Sequence, residues 1–121
     1  KPMEIAINSV SGLKFDVKTL KIPAKQKIKL TFSNPDEMPH NLLIVKPGTA
    51  DSVAAKAVAL GGAGFAKNFV PESDDIIAAS KMLDPETTQS FYFTLPEPGT
   101  YQFVCTFPGH DKLMRGTIVA E

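Results

Sequence analysis

The sequence has no tryptophan, a single cysteine and two histidines among its 121 residues. One cysteine excludes an internal disulfide, so the fold must rest on packing alone. The 13 Lys+Arg and 13 Asp+Glu residues cancel to a formal charge of zero. Without a basic surplus, neither nucleic acid nor an anionic membrane surface is an expected partner. No apolar run approaches the roughly 20 residues that a membrane-spanning helix needs. With only two histidines, a chain that commits both to one metal has none left for a second centre. The first residue is Lys1 rather than Met, as expected of a processed or excised chain with its targeting segment outside it.

What is present is enough for one domain, residues 1–121. The chain is 43% hydrophobic, and a chain of this length buries about two-thirds of its extended surface. Most of it reads as strands. Met3–Val10 alternates imperfectly around Ile5 and Ile7. The stretch "LKFDVKTLKI" sets Leu13, Phe15 and Val17 against Lys14, Asp16 and Lys18, and "KIKLTFSN" sets Ile28, Leu30 and Phe32 against Lys27, Lys29 and Thr31. That period of two is the mark of a half-buried strand. "NLLIV" is a short continuous apolar run that fits a fully buried strand. "QSFYFTL", "TYQFVCT" and "MRGTIVAE" alternate again near the C-terminus.

Between these lies one Ala-rich segment, read as a helix from Asp51 to Leu60, with Thr49 or Asp51 as its cap and Gly61 as its stop. "GGAGFAKNFVPESD" reads as loop. "DIIAASKML" fits strand or helix; its length and the flanking Pro71 and Pro85 favour a strand. Seven to eight strands with Pro, Gly and Asn turns and one inserted helix predict an all-β sandwich or barrel.

The only cysteine stands in "CTFPGHDKLM", where Cys105, His110 and Met114 follow the spacing C-x4-H-x3-M. Singly, each has an ordinary explanation. A lone cysteine is most often a small buried hydrophobe. Jointly they end one strand, occupy a loop and open the next strand. The other histidine, His40, lies between the turn "NPDEMP" and the buried run, placed to approach the Cys105 loop from a neighbouring strand. One thiolate, two imidazoles and a thioether are the donor set of a blue-copper electron-transfer site, with the methionine as a weak axial ligand. Bound copper would also protect the thiol from oxidation. Pro108 and Gly109 shape the turn that returns His110 over Cys105.

Two competing readings fit less of the sequence. In an immunoglobulin-like module the cysteine needs a partner and a packed Trp, and this chain has neither. A Cys–His nucleophile pair leaves His40 and Met114 without a role.

"CTFPGH" with a methionine four residues beyond resembles the ligand loop of the azurin group of small blue copper proteins, including the auracyanins. "MPHN" (Met38 to Asn41) is similar to that family's first-ligand segment, and the likeness extends over nearly all of the chain. The resemblance implies a Greek-key cupredoxin fold and His40, Cys105, His110 and Met114 as ligands of one type 1 copper ion. It implies that the Asn41 and Phe107 backbone N–H groups face the Cys105 sulfur, and that the Asn41 side chain ties the two ligand segments together. It also implies an apolar docking patch of Leu13, Met38, Phe107 and Pro108 around His110. The chain departs from azurin at Pro39, where azurin has glycine; this argues against a further ligand from that carbonyl. It also lacks azurin's disulfide.

The function expected is one-electron transfer between redox proteins such as c-type cytochromes, oxidases or dehydrogenases. The protein is not expected to be an enzyme. A monomer in the periplasm or another extracytoplasmic space is expected, either as a free carrier or as an electron-transfer domain of a larger membrane-tethered or multidomain redox protein.

Overall fold

The computed structural model describes all of residues 1–121. Nine strands form two mixed sheets. They are β1 (Met3–Val10), β2 (Lys14–Phe15), β3 (Thr19–Ile22), β4 (Lys27–Asn34), β5 (Leu43–Val45), β6 (Ile76–Ala79), β7 (Thr87–Thr94), β8 (Gly99–Val104) and β9 (Arg115–Ala120). The helix α1 (Ala50–Val58) lies between β5 and β6. One sheet has the order β2-β1-β4-β7 and the other β3-β9-β8-β5-β6. No helix is long and apolar enough to cross a membrane.

The alternating strands build the core. Ile28, Leu30 and Phe32 of β4 are fully buried, and register places Ile5 and Ile7 of β1 beside Leu30 and Phe32. On the other flank Phe91 and Phe93 of β7 pair with Leu30 and Ile28. Tyr101 and Phe103 of β8 and Ile118 and Ala120 of β9 come from the second sheet into the same core cluster. Two pairings, β1 with β4 and β3 with β9, are parallel, as crossing between sheets allows.

The stretch expected as one strand over Leu13–Ile22 is two short strands in different sheets. The break falls at Asp16, whose carboxylate accepts both the backbone and side-chain N–H of Asn8, while its own N–H donates to the Asn8 carbonyl. These contacts bind the crossing chain to β1, and the split takes the count to nine, against the seven to eight strands expected. Gly116 is needed where the next stretch passes β9. A Cβ there would stand 2.2 Å from the Phe103 ring and 2.6 Å from the Lys18 carbonyl oxygen.

The helix begins one residue earlier than expected and ends two residues earlier. Thr49 is its N-cap residue but makes no side-chain cap; its hydroxyl donates to the Lys46 carbonyl. Instead the Gln102 side chain of β8 accepts the Ala50 N–H at 3.0 Å. The buried residues Ala50, Val53, Ala54 and Ala57 follow the helical i, i+3, i+4, i+7 pattern. They cover the outer face of the second sheet, where Leu43, Val45 and Val104 form a second apolar cluster with Ala50 and Val53. This explains the continuous apolar run at β5: both faces of that strand are buried. The segment after the helix, expected as loop, contains two 3-10 turns, Gly61–Ala63 and Phe65–Lys67.

Candidate metal centre

Sheet register brings the candidate residues together. Val104, the last residue of β8, pairs with Leu43 at the start of β5 and with Arg115 at the start of β9. Cys105 just after β8, Met114 just before β9 and His40 shortly before β5 therefore meet at one end of the second sheet. The Cys105 sulfur lies 3.9 Å from His40 Nδ1 and 3.7 Å from His110 Nδ1. The three potential ligand atoms lie within 4.8 Å of one another, and all three residues are buried. Met114 is fully buried in the same core cluster as Cys105.

Backbone hydrogen bonds fix the loop. Cys105 N–H donates to the Met114 carbonyl at 3.0 Å, Met114 N–H to the His110 carbonyl at 2.9 Å, and His110 N–H to the Phe107 carbonyl at 2.9 Å. Gly109 takes a φ of 89°, left-handed backbone that favours glycine. His110 is held in a turn, yet it is only 3% exposed, and its ring packs on Phe107 at 4.6 Å between centroids. The Arg115 guanidinium donates to the Asp111 carbonyl and to the Asp51 carboxylate, joining the loop to α1.

His40 is fixed by its backbone and its ring. Its N–H and carbonyl both bond Leu83 in an isolated bridge. Asn41 reaches across to the Cys105 segment: its side chain accepts Thr106 N–H at 2.8 Å and donates to the Thr106 hydroxyl at 2.8 Å and the Asn68 carbonyl at 2.9 Å. The tie expected between the two segments is therefore present, and it also holds the left-handed residues Asn68 and Phe69.

Burial favours the neutral forms of the Cys105 thiol and the His110 imidazole in the metal-free protein. Burial pushes the Cys105 thiol up to about 11, while hydrogen bonds from the backbone N–H groups of Asn41 and Phe107 favour the thiolate. Burial, and then the neighbouring His40, hold His110 below the usual histidine range. At neutral pH the His110 imidazole is thus free to ligate. Thiol and imidazole donors without a carboxylate suit copper, and a hard cation such as calcium or magnesium poorly.

Residues missed in the sequence surround this set. Asp36 Oδ2 lies 2.8 Å from His40 Nε2; this bond, then the Glu37 N–H, lowers the Asp36 carboxyl pKa. Asp36 stands four residues before His40, but nothing local separates it from the turn-forming aspartates of similar stretches. Phe65 is 61% exposed and packs edge-on against Phe69 and Phe107. Of the docking residues expected, Met38 is 43% exposed, while Leu13, Phe107 and Pro108 are half-buried. Leu113, in the same loop as Phe107 and His110, is 64% exposed.

Two sheets packed over one core, with a thiol and two imidazoles buried together at one end, define a cupredoxin. The family profile described as copper binding proteins, plastocyanin/azurin family, matches residues 2–121. Auracyanin-A of Chloroflexus aurantiacus is 36% identical over 123 residues, covering 99% of this chain and 75% of its own length. Auracyanin-B of the same organism is 32% identical over 110 residues, covering 88% of this chain; the match spans about half, 47%, of that relative's length. The crystal structure of dithionite-reduced auracyanin from Roseiflexus castenholzii superposes with a TM-score of 0.90 at 37% identity, covering 98% of this chain and 97% of that one. The chain belongs to the plastocyanin/azurin family of copper-binding proteins. It is a blue copper protein of that family, its cofactor is copper, and membership implies electron transfer.

Proposed function

We propose that the protein is a one-electron carrier, rather than an enzyme, that shuttles electrons between redox proteins through a single type 1 copper. The observation that carries this reading is the convergence of buried His40, Cys105 and His110, with Cys105 Sγ 3.9 and 3.7 Å from the two Nδ1 atoms. In this reading His40 Nδ1, Cys105 Sγ and His110 Nδ1 are the strong ligands and Met114 is the weak axial one. Bound copper supplies the one-electron couple. The chain supplies rigidity: the Cys105–Met114, Met114–His110 and His110–Phe107 backbone bonds and the Asn41–Thr106 tie hold the donors in one arrangement. A rigid, preorganised site needs little reorganisation when charge changes. The Asn41 and Phe107 N–H groups take electron density from the sulfur and tune its donation.

Electrons enter and leave through His110, beneath the apolar end formed by Met38, Phe65, Phe107, Pro108 and Leu113. Such a patch beside a metal ligand marks a partner site. c-type cytochromes, oxidases and dehydrogenases are suitable partners. An extracytoplasmic location, such as the periplasm, agrees with a lone thiol sheltered by metal. A reductive titration of the copper-loaded protein tests the reading. Uptake of one electron per chain, fully reversed by an outer-sphere oxidant over repeated cycles, supports it. Irreversible reduction with loss of copper contradicts it.

A further inference from the structure

The two histidines differ on the side facing away from Cys105. No protein group bonds the second ring nitrogen of His110, whereas His40 Nε2 meets Asp36 Oδ2 at 2.8 Å. His40 is fully buried and the Asp36 side chain is only 12% exposed. The carboxylate is itself positioned. Asp36 Oδ1 accepts Glu37 N–H at 2.8 Å, and Asp36 N–H donates to Asn34 Oδ1 at 3.1 Å. Asn34 is a buried hub whose amide donates to the Met38 and Leu83 carbonyls and whose oxygen also accepts the Ser9 hydroxyl. Both donors and both acceptor sites of that amide are thus used. The turn from Asn34 to His40 is built to deliver a carboxylate to one imidazole.

We propose that Asp36 is a positioning residue that fixes His40 in its Nε2–H tautomer, aims Nδ1 toward the Cys105 sulfur and lowers the reduction potential of the site. The inference rests on His40 being a ligand. A carboxylate can only accept, so the ring proton stays on Nε2 and Nδ1 keeps its lone pair. A negative group on the outer side of a ligand imidazole strengthens its donation, and it stabilises the higher metal charge more than the lower. No other charged side chain bonds this ring; the Asp36 carboxylate also acts through space on His110, but it hydrogen-bonds His40 alone.

Asp36→Asn keeps shape and an acceptor oxygen but removes the charge; Asp36→Ala removes both. The first readout is the His40 tautomer in the metal-free protein, by nitrogen-15 NMR at mildly alkaline pH. It should be Nε2–H in the parent and in Asp36→Asn, and a mixture in Asp36→Ala. The second is the reduction potential of the copper-loaded proteins. It should rise in both variants, with the ratio of Cu(II) to Cu(I) affinity falling about tenfold. An unmixed Nε2–H tautomer in Asp36→Ala, or a potential unchanged in both variants, overturns the proposal. The tautomer readout needs no copper. Failure of the parent to take up copper would therefore count against the site reading and would be distinguished from failure of the Asp36 role.

Discussion

Asn41 and Thr106 hold each other by two hydrogen bonds of 2.8 Å, backbone to side chain and side chain to side chain, across 65 residues of sequence. Both residues are buried. The Thr106 hydroxyl donates onward to the Phe69 carbonyl at 2.7 Å, so one polar network joins the His40 segment, the Cys105 loop and the turn between them.

Asn41→Ala should therefore destabilise the metal-free protein by about 3 kcal/mol, because it leaves several buried groups unpaired and each costs ~1–3 kcal/mol. Chemical denaturation measures this. A loss of less than about 0.5 kcal/mol would mean that water or neighbouring groups replace the network.

The alternating strands were legible because burial on one face imposes the period of two, as at Ile28, Leu30 and Phe32. The buried β5 was legible as an apolar run, although what covers its outer face, α1, was not. The break at Asp16 was not legible, because it depends on bonds to Asn8 that exist only once β1 is placed. The candidate loop was legible because its cysteine, histidine and methionine are local and chemically distinctive. His40 was legible because the only other histidine stood at the edge of a buried strand. Asp36 and Phe65 were not. A carboxylate in a turn and an aromatic in a loop have many ordinary uses, and only tertiary contact shows that they meet His40 and Phe107.

Metal-free stability should fall with acid. His110 is held below the usual histidine range by burial, so its folded-state pKa is lower than its unfolded value near 6.5. Between those values the unfolded chain binds more protons, and stability rises with pH. The contribution is fully present above pH ~6.5 and lost as pH falls through the folded value. Thermal melts of the metal-free parent from neutral to mildly acidic pH should show a declining Tm, with a smaller decline in His110→Gln. An equal decline in both would assign the effect to other groups.

Electron self-exchange tests the apolar end. The formal charge is zero, so long-range repulsion between copies is small and exchange should depend weakly on salt. Met38→Lys should slow exchange severalfold and make it salt-dependent, because it sets like charges face to face. Glu97 precedes β8, whose six residues span roughly 20 Å away from the Cys105 end. Glu97→Lys should leave the rate within about twofold, since that end lies beyond a Debye length of ~10 Å. Slower exchange in Glu97→Lys with an unchanged rate in Met38→Lys would move the electron route away from His110.

The central claim is that Cys105 supplies a thiolate to copper, despite a thiol that burial holds near 11 in the metal-free state. Copper must displace that proton. The visible spectrum of the Cu(II)-loaded protein, recorded for the parent and for Cys105→Ser, tests it most directly. The parent should show an intense thiolate-to-copper charge-transfer band, and Cys105→Ser should show none, because an alcohol oxygen cannot supply that donor. A parent without the band, or a Cys105→Ser protein that keeps it, would contradict the account.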